Sequence, residues 1–114
     1  MKVPSLLPIA ALFAATAPLG VALAQPASSG PGAMRCTVVI GRLSSQIAAE
    51  RMPVLSWVQG YLSGMASARS ALDKSSGFDV PEYDALQPLI LTLCKVDPTA
   101  NLYHVASNFP LKPR

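Results

Sequence analysis

Few residues of this chain could carry acid–base or proton-transfer chemistry. Asp79, Glu82 and Asp84 form an acidic cluster in the sequence. Two neighbouring carboxylates can act as a general acid and a general base, but acidic residues just before a helix more often cap it. His104 is the single histidine and a candidate pH switch. On the polar face of a short helix, however, it is more often an ordinary surface residue.

The two cysteines, Cys36 and Cys94, are the remaining reactive side chains. In an exported domain of this size, two cysteines predict one disulfide. It would close a loop of 58 residues and stabilise the fold by about 4 kcal/mol in the chain-entropy treatment. One alternative is a pair of reduced, buried thiols. A metal site is the other, but only His104 could join the two thiols, and the spacing fits no zinc pattern.

No arrangement of residues predicts an enzyme. The stretch from Gly60 to Gly64 reads Gly-Tyr-Leu-Ser-Gly, which places the serine one position too late for a nucleophile elbow. With one histidine and no spare thiol, the sequence predicts a protein that binds other proteins, without catalytic residues, metal or cofactor.

Residues 1–24 have the features of a cleavable export signal. A positive residue, Lys2, precedes an apolar stretch from Leu6 to Ala24. That stretch ends in Ala22-Leu23-Ala24, an A-x-A site that predicts cleavage before Gln25. The alternative is an uncleaved anchor, since the stretch is about long enough to cross a bilayer. The signal predicts a periplasmic protein, with secretion as the runner-up, that has no membrane contact after cleavage.

The mature chain, residues 25–114, has room for one small domain. Residues 25–33 read QPASSGPGA and predict a flexible leader, residues 34–109 predict the packed domain, and residues 110–114 remain as a tail. Without Lys2, eight Lys and Arg face six Asp and Glu, a formal charge of +2. There is no basic run and no row of interleaved aromatic residues, so nucleic acid is not an expected partner.

The clearest helical pattern runs from Pro53 to Leu72. Pro53 suits a first helical turn, and the apolar residues recur at intervals of three and four: Val54, Trp57, Val58, Tyr61, Leu62, Met65 and Leu72. Gly60 and Gly64 lie one turn apart. Because glycine weakens a helix relative to alanine, this pair predicts a place where a second helix packs closely.

Three further helices are predicted. Residues 36–49 are expected to form a short, irregular helix, because their strand-forming start has no partner strand. A second helix is expected to be capped by Asp79 or by Asp84, and residues 84–87 fit a capping box. Its predicted buried face comprises Leu86, Leu89, Ile90, Leu93 and Cys94. A third begins at Asp97-Pro98, as N-cap and first-turn proline. The fold class is therefore all-α: a small single domain of about four short helices stapled by one disulfide.

Two stretches of the chain resemble one protein family. Residues 94–103 read CKVDPTANLY, which is similar to the C-terminal signature of the HdeA/HdeB family: a cysteine, an Asp or Asn three residues on, then Asn-Leu-Tyr. Cys36 matches the other half-cystine of that family. Residues 57–64 read WVQGYLSG and resemble the Trp-x-x-Gly-Tyr segment of many of its uncharacterised relatives.

This resemblance implies a periplasmic, disulfide-linked, all-α protein. The better-known family members are acid-stress chaperones, which are folded dimers at neutral pH and partly unfold in acid to coat denatured clients. The implied partners are therefore unfolded or acid-denatured proteins, with a homodimer as a candidate assembly. The sequence departs from those members in being basic where they are acidic.

The charge of the chain provides a physical basis for acid-triggered binding that does not depend on the family. Protonating the six side-chain carboxylates, the C-terminus and His104 raises the net charge from +2 to about +10, with the already charged N-terminus included in the total. Repulsion among these charges loosens a small domain, while a disulfide keeps it compact. The apolar residues expected to contact clients are Trp57, Tyr61, Leu62, Leu89, Leu93 and Phe109. The rival hypothesis is an inhibitor or immunity-type module that binds one folded partner at neutral pH.

Overall fold

A computed structural model describes residues 29–74 and 77–114. The predicted signal peptide and most of the predicted leader lie outside these residues. In chain order the elements are a 3-10 helix at Gly30–Ala33, α1 at Cys36–Leu43, α2 at Ala48–Asp73, β1 at Phe78–Asp79, α3 at Tyr83–Val96, α4 at Leu102–Ser107 and β2 at Lys112–Pro113. The predicted all-α class and the disulfide are confirmed. In the part of the chain that is described, no helix is long and apolar enough to cross a membrane.

The disulfide joins the first turn of α1 to the end of α3. Cys36 and Cys94 are bonded, their Cα atoms are 5.0 Å apart, and neither side chain is accessible to solvent. Backbone bonds fix the same corner: the amide of Cys36 donates to the carbonyl of Ala100, and the amide of Leu102 donates to the carbonyl of Met34, both at 2.8 Å. The strand-forming start of α1 is helical because tertiary contacts satisfy its backbone.

Helix α2 is longer than its apolar pattern predicts. It begins at Ala48 instead of Pro53, so the proline lies inside the helix. The extra turn is anchored at Ser45, whose hydroxyl accepts from the amide of Ile47 at 3.0 Å and whose carbonyl accepts from Arg51 at 2.8 Å. Lys74 ends the helix in the left-handed conformation, with φ of 53°. The buried face comprises Val54, Leu55, Val58, Leu62 and Ala66.

The prediction that Gly60 and Gly64 mark a helix crossing is wrong within the described residues. Both glycines are exposed, and a Cβ built on either would meet nothing within 4 Å. The reason is their position on the helix. With 3.6 residues per turn, Gly60 lies nearly opposite the buried stripe through Val58 and Leu62.

The caps predicted for the last two helices are also wrong. Glu82 precedes α3, where the sequence predicted Asp79 or Asp84, and the Glu82 side chain makes no capping hydrogen bond. Helix α4 begins after Asn101, whose side-chain oxygen accepts from the amide of His104 at 2.8 Å. Asp97 instead accepts from the hydroxyl of Thr99 at 2.9 Å within the connecting turn. The carbonyls of Pro98 and Ala100 accept hydrogen bonds from amides of α1. They are therefore not available for the hydrogen bonds of a helix that would start at Asp97.

The two ends of the described chain pack onto the helices. Residues 30–33, assigned to the flexible leader by the sequence, form a 3-10 helix that buries Gly32 against α2. Leu111, assigned to the tail, is 8% exposed and joins the core. After it, β2 pairs antiparallel with β1, and the amide of Arg114 donates to the carbonyl of Gly77 at 3.0 Å.

Candidate functional site

Three of the six predicted client-binding residues meet in one apolar pocket. Leu89 and Leu93 of α3 form one wall, and Phe109 forms the wall opposite. The pocket has a volume of about 410 Å³ and opens to solvent. It is lined by Asp79, Pro81, Ala85, Leu89, Thr92, Leu93, Phe109, Pro110 and Lys112.

Helix α3 forms its wall of this pocket with a second apolar stripe. Its first stripe, Leu86, Ile90 and Cys94, is completely buried in the core. Ala85 and Leu89 lie about a third of a turn away from that stripe. Leu89, predicted for the buried face, is in fact 45% exposed, because the core is already filled by the first stripe.

The opposite wall comes from the segment that follows α4. Phe109 is 4% exposed and turns its side chain into the domain. Its carbonyl accepts from the amide of Leu111 at 3.0 Å, which folds the chain back toward β1. Sequence reasoning missed Pro81, Pro110 and Lys112 as pocket residues. Their spacing in the sequence does not predict that they meet. The pairing of β1 with β2 brings them to the pocket.

One acidic and one basic side chain lie at the pocket. Asp79 of β1 and Lys112 of β2 are paired across the two strands. The Asp79 carboxylate accepts from Nε of Arg114 at 3.1 Å, and both of these side chains are largely exposed. Among residues 29–74 and 77–114, the ammonium of Lys112 forms no ion pair. The polar part of the pocket therefore combines a carboxylate paired with Arg114 and an ammonium that forms no ion pair within the described ranges.

Trp57 and Tyr61 lie in an aromatic row away from this pocket. The Trp57 and Tyr61 rings stack with centroids 5.4 Å apart, and the Tyr61 and Tyr103 rings are nearly perpendicular, with centroids 5.6 Å apart. Burial, and then a hydrogen bond with Tyr103, raise the pKa of Tyr61 above its ordinary value near 10. The row joins α2 to α4 and to Gly32, and so contributes to the packing of the domain.

Leu62 is the sixth predicted client-binding residue. Its side chain is 0% exposed at the centre of the core. It can meet a client only after the domain opens, whereas Leu89 is accessible in the folded state.

The residues considered for acid–base chemistry do not converge. Asp79 pairs with Arg114, whereas Glu82 lies 3.4 Å from the side-chain nitrogen of Gln59. Glu82 and Asp84 line a separate, smaller depression of about 290 Å³ with Gln59 and Tyr83. Within the described ranges no three His, Cys, Asp or Glu side chains come together as a metal site.

Comparison with protein families, with curated proteins and with solved structures gave no match.

Proposed function

We propose that this chain is an exported periplasmic chaperone of the HdeA/HdeB type, which binds unfolded proteins and suppresses their aggregation under acid stress. The observation that carries the proposal is the solvent-open apolar pocket formed by Leu89, Leu93 and Phe109. A concave apolar surface on a small domain suits the capture of an apolar segment of another protein. The resemblance of residues 94–103 to the family signature supports the same function.

Acid acts on this fold through its net charge. The exposed ion pair between Asp79 and Arg114 contributes only about 0–1 kcal/mol, so it does not hold the domain closed by itself. The rise in net charge to about +10 adds repulsion throughout the chain. The disulfide holds α1 to α3 meanwhile, so the opened domain remains compact.

A second candidate function is the binding of one folded partner at neutral pH, as in an inhibitor or immunity-type module. It is favoured by one specific observation: the pocket is already formed in the folded chain, with Leu89 45% exposed. Such a partner can enter the pocket at neutral pH, because the folded domain does not have to open first.

Light scattering of an aggregating client, with and without this protein, tests the proposal at pH 2–3 and at pH 7. We expect strong protection in acid and little at neutral pH. Leu89→Lys should reduce protection because it places a charge at the pocket. Leu72→Lys is the matched control, since Leu72 is an apolar residue 83% exposed at the end of α2.

The two candidate functions give different outcomes. Absence of protection in acid, together with unchanged near-UV circular dichroism down to pH 2, would eliminate the acid chaperone. Retention of one folded protein at pH 7 by the native domain, lost in Leu89→Lys but kept in Leu72→Lys, would establish the alternative. Equal loss of protection in both variants would show that the pocket is not the client site.

A further inference from the structure

We propose that the pocket between α3 and the β1–β2 pair also binds a small amphipathic anion, namely a medium-length aliphatic carboxylate. Its apolar part would lie between Leu89, Leu93 and Phe109, and its carboxylate would pair with the ammonium of Lys112. This ligand is independent of the chaperone function, because it needs neither an unfolded client nor an acidic solution.

The size and composition of the pocket suit such a molecule. Its volume of about 410 Å³ lies within the range of about 300–1,000 Å³ typical of small-ligand sites. Six of the nine lining residues are apolar: Pro81, Ala85, Leu89, Leu93, Phe109 and Pro110. Apolar walls with a few polar groups at one place favour a ligand that has an apolar body and a single polar end.

The charges at the pocket favour an anion over a cation. Asp79 could attract a cationic head group, but Arg114 already engages its carboxylate at 3.1 Å. Lys112, directly across the ladder from Asp79, forms no ion pair with the described residues. A carboxylate placed there would gain a charge-assisted hydrogen bond. A cationic ligand would meet the unpaired charge of Lys112.

The third polar residue of the pocket, Thr92, already has a hydrogen-bond partner in the protein. Its hydroxyl donates to the carbonyl of Pro88 at 2.9 Å, within its own helix. The hydroxyl is therefore satisfied without a ligand. Lys112 is thus the group in the pocket next to which the polar end of the ligand would bind.

The test is a titration of the exported, disulfide-bonded protein with decanoate, decanol and decyltrimethylammonium, followed by two-dimensional amide NMR at pH 7 below micellar concentrations. We expect saturable shifts around Ala85, Leu89, Leu93 and Phe109. Decanoate should bind most tightly and the cation most weakly. The preference for decanoate over decanol should fall as salt is raised, since screening weakens an exposed charge pair.

Two substitutions separate the charge from the cavity. Lys112→Gln should weaken decanoate by about fivefold, the effect of losing one exposed ion pair, and leave decanol unchanged. Lys95→Gln is the control, because Lys95 is an exposed lysine in the last turn of α3 that does not line the pocket. Ala85→Trp should abolish binding of both ligands, because an indole at this exposed position would occupy the cavity.

Three results would overturn the proposal. The first is the absence of saturable shifts with any of the ligands. The second is an equal response around exposed apolar residues elsewhere, such as Leu72 or Val96, which would indicate detergent-like association. The third is equal decanoate affinity in Lys112→Gln and the unsubstituted protein. A variant whose amide spectrum shows an unfolded chain is replaced by Leu93→Phe, which narrows the same cavity with a side chain of the same class.

Discussion

At the scale of single residues, Gly32 allows the 3-10 helix to pack closely against Trp57 of α2. A Cβ built on it would lie 2.9 Å from Cη2 of Trp57 and closer still to Cζ2. The indole that blocks this space is itself held by stacking on Tyr61. Only glycine lets the 3-10 helix approach α2 so closely.

We therefore expect Gly32→Ala to destabilise the fold by about 1–3 kcal/mol, the usual effect of overpacking. The indole must move to accept the new methyl group, so the fluorescence of the single tryptophan should change as well. Urea unfolding followed by that fluorescence measures both effects. Gly41→Ala is the control, because a Cβ on this helical glycine meets nothing within 4 Å. A midpoint equal to that of the unsubstituted protein would contradict the close contact.

The raised pKa of Tyr61 has a consequence at alkaline pH. Burial first, and then the hydrogen bond with Tyr103, favour the neutral phenol in the folded state. The folded state therefore holds this proton more tightly than the unfolded state. The resulting stabilisation is fully present below the unfolded pKa near 10 and is lost as the pH rises through the folded pKa.

Tyr61→Phe should therefore lose less stability between pH 9 and pH 11 than the unsubstituted protein does. The measurement is the urea midpoint at each pH. Tyr83→Phe is the control, since Tyr83 lies at the start of α3 and belongs to no aromatic pair among the described residues. If the three proteins lost stability in parallel, Tyr61 would not contribute to alkaline unfolding.

At the scale of elements, α2 combines a well-buried face with an exposed one that contains two glycines. Glycine in a helix interior is about 0.5–1 kcal/mol less favourable than alanine, because it loses more backbone freedom on folding. Gly64 has open space around its Cβ position, so alanine there would introduce no contact with the described residues.

Gly64→Ala is accordingly expected to stabilise the domain by about 0.5–1 kcal/mol. Ala68→Gly, one turn further along the exposed face, is the reciprocal variant and should destabilise it by a similar amount. Thermal and urea unfolding of both variants provide the measurement. A fall in the stability of Gly64→Ala would mean that something outside the described residues, such as a second copy of the chain, covers this face.

At the scale of the whole molecule, the disulfide links elements far apart in sequence. Cys36 and Cys94 are separated by 58 residues and join α1 to α3. Both are completely buried, so a reductant reaches the bond only when the domain opens. The bond also keeps the two helices together in any loosened state.

The double variant Cys36→Ala, Cys94→Ala should lose about 4 kcal/mol of stability in the chain-entropy treatment. For a domain this small, that loss leaves a large unfolded fraction, which circular dichroism and urea unfolding would reveal. Alkylation of the unreduced protein in denaturant, where buried thiols become accessible, should label no thiol by mass spectrometry. Two labelled thiols would contradict the bond, and an unchanged urea midpoint would contradict its stabilising role.

The helical class, the disulfide and most of α2 could be predicted from the sequence, from the spacing of apolar residues and the number of cysteines. Apolar residues at intervals of three and four predict one buried face wherever the partner lies. A chain with only two cysteines allows one intramolecular pairing. The stripe of Leu86, Ile90 and Cys94 was predicted in the same way, and its burial is confirmed.

Only the tertiary structure decided where helices begin and which apolar residues remain accessible. Caps depend on competing partners: Asn101 could become the cap of α4 because the carbonyls of Pro98 and Ala100 bond to α1. The exposure of an apolar residue depends on which face of its helix packs into the core. Leu89 of α3 therefore lies at the surface, whereas Leu62 of α2 is buried. The pocket requires α3, Phe109 and the β1–β2 pair together. Contacts between such distant residues leave no periodic trace in the sequence.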